Sequence, residues 1–258
     1  MCRFLLPLFL CVSLNAQPIF VFTQPKAGTR FLKGSLTKYF EKQFNGKQFK
    51  DPHHTFRSGR CPEDLQKLID SSRKEDIAIV GHYVLHPWRL ELIRKNGCKV
   101  VVVARDPRQA IVSNVIHHTL HPKGGSGSYE EQERQIRRLN EKIKANVAFR
   151  WEKEIRQRVI QLAAWKTLSI KYPKTLKVLL FEDLKTNRYG FFIKLLRHFQ
   201  VRKIDKPFLQ ECIQPKRGVS GYRNSNPSEW RTFVTEEMIA FANECIGDEL
   251  ARFYRFKL

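Results

Sequence analysis

Lys26, Gly28 and Thr29 belong to the run Pro25-Lys26-Ala27-Gly28-Thr29-Arg30-Phe31, which directly follows the apolar stretch Ile19-Phe20-Val21-Phe22. Arg105 and Ser113 stand in a second arrangement of the same kind: Arg105-Asp106-Pro107-Arg108, then Ser113, directly after Val100-Val101-Val102-Val103. Each reads as a buried strand that ends in a polar turn and opens a helix. A glycine in such a turn lets backbone N–H groups crowd around an oxyanion. The helix N-terminus adds positive partial charge, and a lysine or arginine supplies a full one. In an open α/β sheet, this end of the strands is where a nucleotide phosphate sits. Two such loops can hold two separate phosphate-like groups. The first is not a Walker A loop, because no Gly-Lys-Ser/Thr ends it and Lys26 precedes Gly28.

Further residues suit chemistry at the same edge. His82 follows Ile77-Ala78-Ile79-Val80-Gly81 at a strand end, where a neutral imidazole can accept a proton. Lys216-Arg217, followed by Gly218, is by itself only a surface basic pair. Phe31 and Phe181 could flank a purine or pack as core. His117, His118 and His121 cluster at helical and near-helical spacing, but no carboxylate or cysteine shares their register. A metal site is therefore not expected, and the three histidines are placed on the acceptor side of the cleft.

The two strand–loop motifs in order resemble the sulfotransferases that use 3′-phosphoadenosine 5′-phosphosulfate. In that family a P-K-x-G-T loop grips the 5′-phosphosulfate, and a later R-D-P-R…S segment grips the 3′-phosphate. The resemblance implies that Lys26, Ala27, Gly28, Thr29, Arg30 and Phe31 hold the cosubstrate at one loop, with Arg105 and Ser113 at the other. It also implies that Lys216, Arg217 and Gly218 close over it, with Phe181 beside the adenosine. Lys26 and His82 become the catalytic candidates. Val178 to Leu184, with Phe181-Glu182-Asp183-Leu184, looks like the family strand ending in Y-E-D-L. Trp230-Arg231-Thr232-Phe233 resembles part of its C-terminal segment. Arg30 and Phe31 stand where a Thr-Trp pair is common. No metal is expected, since cations and backbone donors can neutralise the sulfonate.

These residues need elements to position them. Strands are predicted at 18–23, 76–81, 100–104 and 178–181. Helices are predicted from about 31 to 40 and over 62–72, 88–95, 107–117, 190–199 and 235–254, with one long helical region over 130–172. Asn96-Gly97 is a helix stop, and 123–128, rich in Gly and Ser, is a flexible loop. Alternating strands and helices predict a three-layer α/β fold. Its mostly parallel central sheet is covered by helices on both faces and carries a P-loop-like phosphate-binding loop.

The chain has 258 residues with 47 Lys and Arg against 25 Asp and Glu, a net charge of +22, and 42% hydrophobic residues. That suits one globular domain with an anionic partner. Nothing resembling a helix-turn-helix, a zinc finger or an aromatic RNA-binding sheet accompanies the charge, so nucleic acid is not the expected partner. Arg3 followed by the apolar run 4–14 and Asn15-Ala16 reads as a signal peptide over 1–16, ahead of a single sulfotransferase-like domain over 17–258. Export or the secretory pathway follows from that reading; a structural N-terminal segment would instead leave the protein cytoplasmic. Cys61, Cys98, Cys212 and Cys245 follow the signal, with no C-x-x-C spacing.

The expected activity is sulfuryl transfer to a hydroxyl or amine of an acceptor, either a small molecule or a glycan, with an acidic polymer as a further partner. A P-loop kinase using ATP and a non-catalytic secreted polyanion-binding protein are the alternatives.

Overall fold

The structure is a computed structural model that describes residues 18–43, 62–75, 78–82, 85–121, 128–201, 203–214 and 229–258. Four apolar runs form β1 (Ile19–Thr23), β2 (Ala78–Gly81), β3 (Lys99–Ala104) and β4 (Leu176–Leu180), all parallel, in the order β2-β1-β3-β4. Phe22 aligns with Gly81 on one side and Val102 on the other, and Val102 aligns with Val178. These strands are mostly apolar because both faces are covered, with Lys99 opening β3 and an exposed Lys177 in β4. Side chains alternate across the pleat. Phe20, Phe22, Ile79, Val100 and Val102 enter one core, while Val21, Val80, Val101, Val103 and Leu179 enter another.

The helices are α1 (Thr29–Gln43), α2 (Pro62–Glu75), α3 (Pro87–Lys95), α4 (Pro107–Leu120), α5 (Tyr129–Arg138), α6 (Asn140–Lys171), α7 (Phe181–Thr186), α8 (Arg188–His198), α9 (Lys206–Cys212) and α10 (Glu236–Tyr254), with a 3₁₀ helix at Glu229–Phe233. The first core is closed by Leu65 and Ile69 of α2, Leu90 and Ile93 of α3, Leu162 and Trp165 of α6, and Tyr254 of α10. The second is closed by Leu32, Leu36 and Phe40 of α1, Phe191 and Leu195 of α8, and Phe208 of α9. This is the three-layer α/β arrangement expected. A third core lies beyond the sheet, where Val112 and Val115 of α4 meet Ile143, Val147 and Trp151 of α6 and Trp230. Trp151 satisfies its buried N–H by donating to the Met238 carbonyl at 2.7 Å.

Several boundaries differ from the sequence reading. The long helical region is two helices, α5 and α6. Leu139, with φ −105° and ψ 14°, ends the first and starts the second. Phe181 is the first residue of α7, not the last of a strand. α9, only seven residues long, has no counterpart among the predicted helices; Asp205 caps it by accepting from Phe208 N at 3.0 Å. α10 is interrupted at Gly247, whose φ of 64° no side-chain-bearing residue adopts readily. The Asn96-Gly97 stop is present, with Gly97 at φ 68°. The Gly- and Ser-rich loop lies almost wholly outside the described residues. Cys98, Cys212 and Cys245 are free thiols, and Cys61 lies outside the described residues. Among the described residues no helix is long and apolar enough to cross a membrane.

Candidate active site

The loop between β1 and α1 is shaped by its own backbone. Gln24 N donates to Val103 O at 3.1 Å, which extends the sheet ladder one residue past β1, and Ala27 N turns back to Gln24 O at 3.0 Å. Lys26 is held at φ 68°, in the left-handed region that a non-glycine residue enters at a cost. Arg105 holds it there, with Nη1 donating to the Lys26 carbonyl at 2.7 Å. Gly28 has φ 79°, and a Cβ there would lie 2.9 Å from Leu184 Cδ2 and 3.2 Å from Phe181 Cε2. The conformation therefore favours glycine, and a Cβ would also have to displace the Leu184 methyl and the Phe181 ring of α7.

Thr23, at the end of β1, ties this loop to the end of β2. Its Oγ1 lies 2.6 Å from Thr29 Oγ1, 3.1 Å from His82 Nδ1 and 3.2 Å from the Gly81 carbonyl. Thr29 Oγ1 in turn lies 3.3 Å from Nδ1 and 3.4 Å from Nε2 of His82. The parallel pairing of β1 with β2 sets this juxtaposition by bringing the two strands' carboxyl ends level. His82 itself is exposed.

Arg105 leaves the end of β3 and is buried, with 6% of its surface exposed. Its backbone N donates to Gln24 Oε1 at 2.9 Å, and its guanidinium lies 4.5 Å from the centroid of the Phe181 ring. Burial lowers its pKa to about 10, against the opposing pull of Glu182 and Asp106. Arg105 Nε and Gln24 Nε2 are buried without a protein partner, so the site carries unspent donors. Glu182 accepts from Asp106 N at 3.1 Å, and burial raises its carboxyl pKa.

Arg108 has a different task. It is 1% exposed, donates to Asp106 at 2.7 Å, to Asn243 Oδ1 at 2.6 Å and to the Lys257 carbonyl at 2.6 Å. It fastens the start of α4 to the C-terminal region. Asp106 also caps α4, accepting from Arg108 N at 2.9 Å.

Electrostatics group the remaining residues. Burial, then the charges of Arg30 and Arg105, lower the Lys26 ammonium to about 8. His117 is lowered to about 4, first by burial and then by Lys26, with His118, His121 and Arg30 adding to it. His118 is lowered by burial and then by Lys26 and Arg150. Two α4 histidines thus sit within the field of the loop lysine. The ring of His117 lies 5.5 Å from that of His118 and 5.4 Å from that of His121. Among the described residues no three His, Cys, Asp or Glu side chains form a metal-holding group.

Lys26, Ala27, Gly28, Thr29, His82, Arg105 and Phe181 accordingly gather where β1, β2, β3 and β4 end. Ser113 lies on α4, half-buried, two turns beyond its start. Arg30 is exposed in the first turn of α1, its charge reaching Lys26 and His117. Phe31 packs edge-on to Phe192 at 6.2 Å, with Arg188 5.1 Å from its centroid, so it serves the packing of α1 against α8. Lys216, Arg217 and Gly218 lie outside the described residues. Sequence reasoning missed Thr23, Gln24 and Glu182 as site residues. Each sits within two residues of a strand end, and Glu182 also stands in the Phe181-Glu182-Asp183-Leu184 segment noted in the sequence.

Paired cationic loops at the carboxyl edge of a parallel sheet make a site for the anionic groups of a nucleotide. The sulfotransferase domain family matches residues 16–254, and the chain belongs to that family. Solved structures agree in fold. A mouse sulfotransferase complexed with PAP has a TM-score of 0.61 at 12% identity, covering 94% of this chain and 90% of its own. A retinol dehydratase in complex with androsterone and inactive cofactor PAP has a TM-score of 0.52 at 15% identity, covering 94% and 83%. A sulfotransferase from Alicyclobacillus acidocaldarius has a TM-score of 0.51 at 16% identity, covering 93% and 97%. No curated protein matches the chain.

Proposed function

We propose that the chain transfers a sulfuryl group from 3′-phosphoadenosine 5′-phosphosulfate to a hydroxyl or amine of an acceptor. The observation that carries this reading is the Arg105–Lys26 hydrogen bond of 2.7 Å, which locks two cationic strand-end loops into one site. Two anionic groups on one nucleotide, at its 3′ and 5′ positions, match two linked cationic loops.

In this reading Lys26 and the loop N–H groups meet the sulfonate, and Arg105 and Ser113 meet the 3′-phosphate. The acceptor oxygen attacks sulfur in line, and the bond from sulfur to the bridging oxygen breaks. Adenosine 3′,5′-bisphosphate leaves with its new negative charge opposite the Lys26 ammonium. His82 takes the acceptor's proton. With its Nδ1 hydrogen directed to the Thr23 carbonyl, 3.3 Å away, Nε2 carries the lone pair that accepts it. Thr29, hydrogen-bonding neighbour of His82 and first residue of α1, keeps base and loop in register. The family, together with the androsterone complexed by the retinol dehydratase of similar fold, favours a small hydroxyl-bearing acceptor. The charge of +22 supports a glycan or another acidic acceptor.

Calorimetric titration tests the reading. Adenosine 3′,5′-bisphosphate should bind at least about tenfold tighter than adenosine 5′-monophosphate, and without a divalent cation. Preference for ATP with magnesium would establish the kinase alternative instead.

A further inference from the structure

Beside the histidines that feel the Lys26 charge, α4 and α6 part to leave a pocket of about 160 Å³, lined by Val115, His118, Thr119, Lys142, Asn146 and Arg150. Lys142, Asn146 and Arg150 are spaced four residues apart and so share one face of α6. Val115, His118 and Thr119 are the facing turn of α4. Below the pocket the helices are joined by apolar packing of Val115 with the layer of Ile143 and Val147, so its floor is part of the third core. Asn146 Nδ2 donates to Thr119 Oγ1 at 3.3 Å, orienting the amide across the gap.

The lining is almost wholly composed of donors and cations. It contains no carboxylate, and among the described residues neither Lys142 nor Arg150 forms an ion pair. Two other cations on this helix are paired, Lys144 with Glu141 at 3.0 Å and Arg158 with Glu154 at 2.9 Å. Glu141 and Glu154 of α6 are held by Lys144 and Arg158, although Glu154 also acts on His118, while two basic side chains line a polar recess. A guanidinium, an ammonium, an amide and an imidazole around a space large enough for one oxyanion and the atoms carrying it make a site for negative charge.

Resting on the sulfotransferase reading, we infer that this pocket is a subsite for an oxyanion carried by the acceptor, bound by Lys142 and Arg150 with His118 as a further donor. His118 links the subsite to the reacting centre, because both Lys26 and Arg150 act on it electrostatically. An acceptor anchored here through its anion presents a hydroxyl towards Lys26 and His82. Specificity then comes from a charge remote from the oxygen that reacts. A small carboxylic acid and a uronic acid within a glycan share the required chemistry.

The test uses the full chain, with and without adenosine 3′,5′-bisphosphate, and two matched pairs of probes: cholic acid against its methyl ester, and a glucuronic-acid-terminated disaccharide against its methyl ester. Esterification removes the charge and leaves the hydroxyls. In at least one pair the acid should bind about tenfold tighter than the ester by calorimetry. The pair showing the preference identifies a small-molecule or a glycan source. Lys142→Gln with Arg150→Gln should abolish that preference, with retained affinity for adenosine 3′,5′-bisphosphate as the check on folding. Each single substitution should reduce it in part. Equal binding of acid and ester in both pairs, no binding of either acid, or a preference that survives the double substitution would overturn the inference. Failure to bind adenosine 3′,5′-bisphosphate would defeat the sulfotransferase reading separately, since the acid–ester comparison can be made on the free chain.

Discussion

Arg105 serves both loops, donating to the Lys26 carbonyl at 2.7 Å while its buried guanidinium keeps one N–H without a protein partner. Arg105→Ala should weaken adenosine 3′,5′-bisphosphate binding by about 10- to 100-fold, on the order of 1.5–3 kcal/mol. It should weaken adenosine 5′-monophosphate binding much less, as calorimetry with both nucleotides will read; equal losses would remove Arg105 from the 3′-phosphate. Lys26 gives a pH dependence whose sign is set by its lowered pKa. With the ammonium at about 8, below the ordinary 10.5, Lys26 is charged below about pH 8 and loses its charge as pH rises through that value. Cosubstrate affinity should therefore fall above about pH 8, by at most about tenfold per pH unit. The free chain responds oppositely: between about 8 and 10.5 the unfolded chain holds the extra proton at this group, so stability rises with pH there. Lys26→Arg, which stays charged, should flatten the falling limb of the affinity profile. His82→Ala should lower kcat by about 10²–10⁴-fold and leave adenosine 3′,5′-bisphosphate affinity nearly unchanged. Near-normal turnover in that variant would place the base elsewhere, with His117 and His118 the next residues to test.

At the scale of elements, the site depends on strand ends that must stay level and on helices that must start at the right residue. Asp106 decides the second point for α4. It caps the helix and is the ionic partner of Arg108, at 2.7 Å with side-chain exposures of 7% and 1%. Asp106→Ala would leave a buried guanidinium uncompensated and an N-terminus uncapped, costing about 3–5 kcal/mol in urea denaturation. Asp106→Asn keeps a cap oxygen and should recover only a minor part of that loss. A cost below about 1 kcal/mol for either would mean that Asn243 and the Lys257 carbonyl suffice to hold Arg108. Gly28 makes a related demand on α7, since a Cβ there would press on the Leu184 methyl and the Phe181 ring.

For the whole molecule, we propose that residues 17–258 form a single domain and that residues 1–16 are a removable export signal, which would place the protein in the secretory pathway. The chain lacking 1–16 should unfold cooperatively and bind adenosine 3′,5′-bisphosphate as the full chain does, because β1 begins only at Ile19. Loss of folding on that truncation would make the segment structural and remove the ground for export. The net charge of +22 acts at long range, raising the rate at which an anionic nucleotide arrives and making that rate fall with salt.

The apolar runs 19–22 and 100–103, each ended by a polar turn, carry the α/β class and both strand-end loops without any contact between distant residues. Local alternation, turn chemistry and helix starts are short-range properties that a sequence displays directly. Lys26, Gly28, Thr29, Arg105 and His82 were legible for that reason. The rest depended on the parallel order β2-β1-β3-β4, which brings strand ends far apart in the chain to one edge. Only that order makes Thr23 the hinge between Thr29 and His82 and buries Glu182 against Asp106 N, and only the tertiary structure shows Arg108 fastening the C-terminal region. Phe31 and Phe181 were indistinguishable as aromatic residues near motifs. Packing separated them, because Phe31 meets Phe192 while Phe181 lies under Arg105. The pocket between α4 and α6 had no local signature, since its cations are ordinary surface residues until two helices set them facing one another.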